Sequence, residues 1–65
     1  MTLGIFLEPF ESSEEVLVHL PDGREIAAYP ESKELEPFWG DEVTYACPRI
    51  GGIDWAYTYI EVEER

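Results

Sequence analysis

Pro21-Asp22-Gly23, standing between two runs of alternating residues, limits the possible folds of this chain more than any other feature. Proline presets φ for the first turn position, and glycine accepts the left-handed conformation that closes such a turn. The flanking runs are Glu15-Val16-Leu17-Val18-His19-Leu20 and Arg24-Glu25-Ile26-Ala27-Ala28-Tyr29. Together they predict a β-hairpin with a type I turn and a glycine bulge. Leu20 opposite Arg24 puts Val18 opposite Ile26 and Val16 opposite Ala28. One face then carries Val16, Val18, Leu20, Ile26 and Ala28, the expected core. The other carries Leu17, His19, Ala27 and Tyr29, with Glu15 and Glu25.

The remaining elements follow the same logic. Leu3 to Leu7 reads as a short strand stopped by Pro9, and Glu42 to Cys47 alternates until Pro48. Gly51-Gly52 marks a turn. Trp55 to Glu63 is the longest strand: Ala56, Thr58, Ile60 and Val62 on one face, and Trp55, Tyr57, Tyr59, Glu61 and Glu63 on the other. Between Pro30 and Gly40, Ser32 caps one helical turn at 32–36, which Pro37 ends. The prediction is one all-β domain over residues 1–65, a five-stranded antiparallel barrel. Its strands lie near 3–7, 15–20, 24–29, 42–47 and 55–63. Val16, Val18, Ile26, Val43, Ile60 and Val62 fill its core. Closure would remove sheet edges that a chain of 65 residues has little means to protect.

Leu20-Pro21-Asp22-Gly23 followed by Ile26, and Gly40-Asp41-Glu42-Val43, resemble the strand–turn–strand and Gly-Asp-x-Val features of small barrels. These occur in oligonucleotide-binding (OB-like) barrels of the smallest bacterial initiation factor type and in SH3-like barrels. The resemblance spans about residues 16–62 and implies a fold, with no activity attached. Those nucleic-acid binders rely on lysine and arginine, and this chain has only Arg24, Lys33, Arg49 and Arg65.

Charge decides the class of partner. Fifteen acids against four basic residues give a formal net charge of −11 at pH 7. Such a field repels nucleic-acid phosphates and anionic lipid and attracts cationic surfaces. It exceeds the magnitude of about 2–8 that solubility asks of a small domain. Acids spaced along a rigid scaffold imitate duplex phosphates, and the composition resembles that of small phage-encoded inhibitors of restriction, CRISPR or transcription machinery. The expected function is inhibition or modulation of a basic, nucleic-acid-binding protein. An accessory subunit of a larger complex is the second reading, and an oligonucleotide-binding barrel the third.

Two constellations carry this expectation. Trp55, Tyr57 and Tyr59, with Glu61 and Glu63 beside them, form either an interface that stacks on cationic side chains or a second packed cluster. Tyr57 and Tyr59 are assigned to the interface, and Trp55 is shared between packing and exposure. The loop Glu31–Glu42 holds five acids, with Glu34, Glu36, Trp39, Asp41 and Glu42 as candidate partner contacts. It reads alternatively as a solvated acidic loop with Trp39 folded back to plug one end of the barrel.

Catalysis and metal binding find little support. His19 and Cys47 are the only histidine and thiol, and even if neighbouring strands brought them together, no third group orients them. A barrel of this size has little room for a substrate pocket of ~300 Å³. The acids lack calcium-loop spacing, so no cofactor or metal is expected. No secretory leader and no run near the ~18 apolar residues of a membrane span are visible. A lone Cys47 suggests a reducing, cytoplasmic setting.

Overall fold

A computed structural model describes residues 1–65. The hairpin forms as the turn chemistry requires. β1 (Val16–His19) and β2 (Glu25–Ala28) pair antiparallel, with Val16 opposite Ala28 and Val18 opposite Ile26. The Gly23 N–H donates to the Leu20 carbonyl at 3.0 Å, and the Leu20 N–H donates to the Arg24 carbonyl at 2.8 Å. Gly23 takes φ 93°, the left-handed residue of a type I turn with a glycine bulge. Asp22 closes the loop by accepting from the Arg24 N–H at 3.0 Å and from Arg24 Nε at 2.7 Å. Those bonds, the backbone one first, hold its carboxyl below the ordinary value. A Cβ on Gly23 would meet no heavy atom within 4 Å, so Gly23→Ala is a purely conformational change. It should lower stability by about 1 kcal/mol. An unchanged urea midpoint would show that the turn does not hold a left-handed residue.

β3 (Glu42–Gly52) and β4 (Trp55–Glu63) complete a four-stranded sheet in the order β2-β1-β4-β3. β4 runs antiparallel to β3 and parallel to β1, with Val18 beside Ile60 and Leu17 beside Tyr59. The two central strands supply Val16, Val18, Ile60 and Val62 to the core, and Leu20 follows β1 into it. Ile26 and Val43, on the outer strands, are half-buried against that cluster.

The expected five-stranded antiparallel barrel, SH3-like or OB-like, is not what forms: the sheet is mixed and open, with four strands. The cause is the N-terminal segment, which is an α-helix (α1, Leu3–Leu7) and not a strand. Thr2 caps it, its hydroxyl accepting from the Ile5 N–H at 3.4 Å. Leu3 and Leu7 lie one turn apart and are both buried, while Phe6 and Phe10 pack beside them. That is the i, i+3, i+4, i+7 stripe of an amphipathic helix. A run of five apolar residues does not distinguish strand from helix by itself. With no fifth strand to bridge β2 and β3, the sheet keeps two edges, that of β3 met only at its start by a Thr2–Glu42 bridge, and helices cover one face.

The second cover is a 3-10 helix, Lys33–Phe38, starting at the expected Ser32 cap, whose hydroxyl accepts from the Glu34 N–H at 3.3 Å. It runs past 36, with Pro37 inside it, and drives Leu35 fully into the core. β3 likewise runs through Pro48, because β3 is an edge strand, where a residue without an N–H is tolerated. The β3–β4 reversal therefore falls at Ile53-Asp54 and not at Gly51-Gly52. β1 reaches only Thr58 to Glu61 of β4, so the far end of the β3–β4 hairpin projects as a two-stranded arm. Ile50 and Ile53 near its tip are 84% and 102% exposed. No helix is long and apolar enough to cross a membrane.

Candidate binding face

Because side chains alternate along a strand, the sheet's second face can be read from its register. Across the strands it shows Glu25, His19, Glu61 and Tyr45 in one row and Ala27, Leu17, Tyr59 and Cys47 in the next. Beyond these lie Tyr57 beside Arg49, then Trp55. Glu15, just before β1, and Tyr29, just after β2, join Trp55 and Tyr57 at that end. All four tyrosines of the chain and one of its two tryptophans thus share the face that the helices leave open.

The aromatic stripe divides. Trp55 is 48% exposed, as expected for a ring shared between packing and solvent, and Tyr57 is half-buried. Their rings lie 5.2 Å apart at 30°. Tyr59, assigned from sequence to the interface beside Tyr57, is only 7% exposed, so its ring is not free. Its neighbours on the same face bury it. His19 and Tyr45 stand edge-on at 6.4 and 6.2 Å, and the Arg49 guanidinium lies 4.1 Å from its ring centroid. The Tyr59 hydroxyl donates to Glu61 Oε2 at 2.8 Å, and that bond to a carboxylate raises its pKa.

Gly51 has a packing role that its sequence signature concealed. A Cβ there would lie 2.0 Å from a carbon of the Trp55 ring, so glycine lets the indole lie against β3. Trp55 Nε1 then donates to Glu15 Oε2. Glu15, Leu17, Ala27, Tyr29, Trp55 and Tyr57, with backbone-adjacent Val16 and Ala28, line an open groove of 320 Å³. A closed barrel would have had no such groove. The open sheet leaves one face uncovered, and its groove supplies the room that a barrel was expected to lack.

The acidic-loop candidates do not join this site as a group. Glu34 and Glu36 are exposed on the 3-10 helix, whose Leu35 packs on the opposite face of the sheet. Trp39 belongs to that covering layer too: its Cβ faces Gly4, and its carbonyl accepts from the Gly4 N–H at 3.0 Å. Asp41 lies at the junction, its carbonyl accepting from the Leu3 N–H at 2.9 Å. Glu42 and Glu63 stand opposite each other where β3 and β4 meet, in the same outward register as Glu61. The N-terminal ammonium bonds to Glu42 and holds its carboxyl below the ordinary value. Trp55, Tyr57, Glu61, Glu63 and Glu42 therefore share one face, and Glu34, Glu36 and Trp39 another. Tyr29, Tyr45, Glu15 and Arg49 complete the open face without having been singled out. For Tyr29 and Glu15 the signal was the hairpin's own register, which already set them with Leu17 and Ala27.

His19 and Cys47 do not meet, because β4 runs between their strands. His19 Nδ1 instead lies 3.4 Å from Glu25 Oε2. Cys47 is half-buried, and Tyr45 and then Arg49 beside it hold its thiol below the ordinary value, while Cys47 in turn raises Tyr45. Thiolate absorbance should thus rise at lower pH than in free cysteine, and Tyr45→Phe should move the midpoint back up. An identical midpoint in both proteins would remove Tyr45 as the cause. No three His, Cys, Asp or Glu side chains converge into a metal-holding group. Comparison with protein-family models, with characterised proteins and with solved structures finds no match to this chain.

Proposed function

We propose that this chain is a non-catalytic binding protein whose open sheet face receives a basic protein partner of the nucleic-acid-binding kind and, by occupying it, inhibits or modulates it. The observation that carries the reading is the uncovered face itself. It sets Tyr29, Tyr45, Trp55 and Tyr57 among Glu15, Glu25 and Glu61, on a chain with net charge −11. Aromatic rings supply large contact area at low rotamer cost, and carboxylates beside them favour arginine and lysine. The same charge opposes direct binding to a phosphate backbone.

An arginine-rich polypeptide is the defined probe. Association should slow roughly tenfold or more between about 50 and 500 mM salt, as screening shortens the reach of the field. Reversing the exposed Glu25 and Glu63 to lysine should slow it further with the fold intact. Binding indifferent to both changes, or equal binding of single-stranded DNA, would overturn the reading. The exposed Ile50 and Ile53 on the projecting arm favour a second reading, docking into a larger assembly. In that case Ile53→Lys, and not salt, would abolish association.

A further inference from the structure

The groove between Tyr29 and Tyr57 is built for one kind of side chain. Glu15 precedes β1, with Tyr29 on the β2 side and Tyr57 on β4. β1 runs between β2 and β4, so Tyr29 and Tyr57 stand two strands apart, on either side of Glu15. Trp55 and Tyr57, with ring centroids 5.2 Å apart, and Tyr29 together give the groove three aromatic rings. Seven of the eight lining residues are hydrophobic, and Glu15 is the single charge. The Trp55 indole N–H engages Glu15 Oε2 and orients the carboxylate, leaving Oε1 as an acceptor.

We infer that this groove anchors one arginine side chain of the partner, its guanidinium stacked on the aromatic lining and bonded to Glu15. The inference rests on the proposed reading of the face as a cation-binding surface and specifies where the anchor sits. A guanidinium is flat, weakly hydrated and forked, which suits an apolar, aromatic-lined groove with a carboxylate; an ammonium is compact and strongly hydrated. The same face already holds one guanidinium over an aromatic ring, Arg49 over Tyr59 at 4.1 Å. A second copy of the chain is a poor occupant. Each copy carries −11, so two copies repel one another, and two of the three arginines are engaged within the chain, Arg24 with Asp22 and Arg49 over Tyr59.

The test is a titration of the whole isotope-labelled chain with the blocked peptide Gly-Gly-Arg-Gly-Gly and with its citrulline, lysine and trimethyllysine counterparts. The two indole N–H resonances of Trp39 and Trp55 are followed by NMR. The Trp55 resonance should move while that of Trp39 stays. Citrulline should bind at least tenfold more weakly than arginine, and both lysine forms several-fold more weakly. Glu15→Gln, which keeps an acceptor for the indole, should lose at least tenfold, and Tyr29→Leu should lose affinity with the rest of the spectrum unchanged. Equal binding of citrulline, or tighter binding of trimethyllysine, overturns the arginine assignment. Shifts confined to Tyr45 and Glu61 overturn the groove as the anchor but leave the cationic face standing. No shift anywhere, with a long arginine-rich polypeptide also failing to bind, removes both.

Discussion

Leu35→Ala is expected to lower stability by about 3 kcal/mol, within the range for truncating a buried leucine. Leu35 is fully buried, yet it comes from the acidic connection between β2 and β3, flanked by the exposed Glu34 and Glu36. Its side chain fastens the 3-10 helix over Val16, Val18 and Ile60, where Leu3 and Leu7 also pack. A domain of this size holds roughly 3–10 kcal/mol in all, so the loss approaches the whole at the lower end. Leu35→Met should cost less than about 1.5 kcal/mol, because it nearly conserves volume. Glu34→Ala and Glu36→Ala should stay within about 0.5 kcal/mol. Urea unfolding of the four variants checks this. If Leu35→Ala unfolds at the wild-type midpoint, the segment is not part of the cooperative core.

Tyr59→Ala and Tyr57→Ala should separate two residues that sequence treats alike. Tyr59 is 7% exposed and held by Tyr45, His19, Arg49 and Glu61, so its loss should lower the thermal midpoint by roughly 10 °C or more. Tyr57, half-buried with one ring face toward the groove, should shift it by only a few degrees. The binding effects should run the other way: Tyr57→Ala should weaken a cationic peptide by about 2 kcal/mol, the scale of an interface hot spot. Unfolding and binding measured on one sample distinguish the cases. Equal thermal shifts for the two variants would mean that the face is packed uniformly, with no groove end to occupy.

The difference between those two tyrosines marks where sequence reading stops. The turn at Pro21-Asp22-Gly23, the β1–β2 register, the two faces of β4 and the cap at Ser32 were all legible. Each depends on residues a few positions apart and on backbone rules that act locally. The α1 segment was legible in part: Thr2 before Leu3, with Leu3, Phe6, Leu7 and Phe10 at helical spacing, was available but competed with an equally apolar strand pattern. The charge of −11 and the partner class it favours needed composition alone. Neighbour choice was not legible. Alternation says which way a side chain points and nothing about which strand lies beside it, so only the tertiary structure set β1 parallel to β4 and left the sheet open. That pairing sends Tyr59 to the centre of the sheet, where flanking strands bury it, and Tyr57 to the margin, beside Trp55 and Glu15. Packing across non-adjacent segments decides burial, and burial decides which aromatic ring remains free to bind.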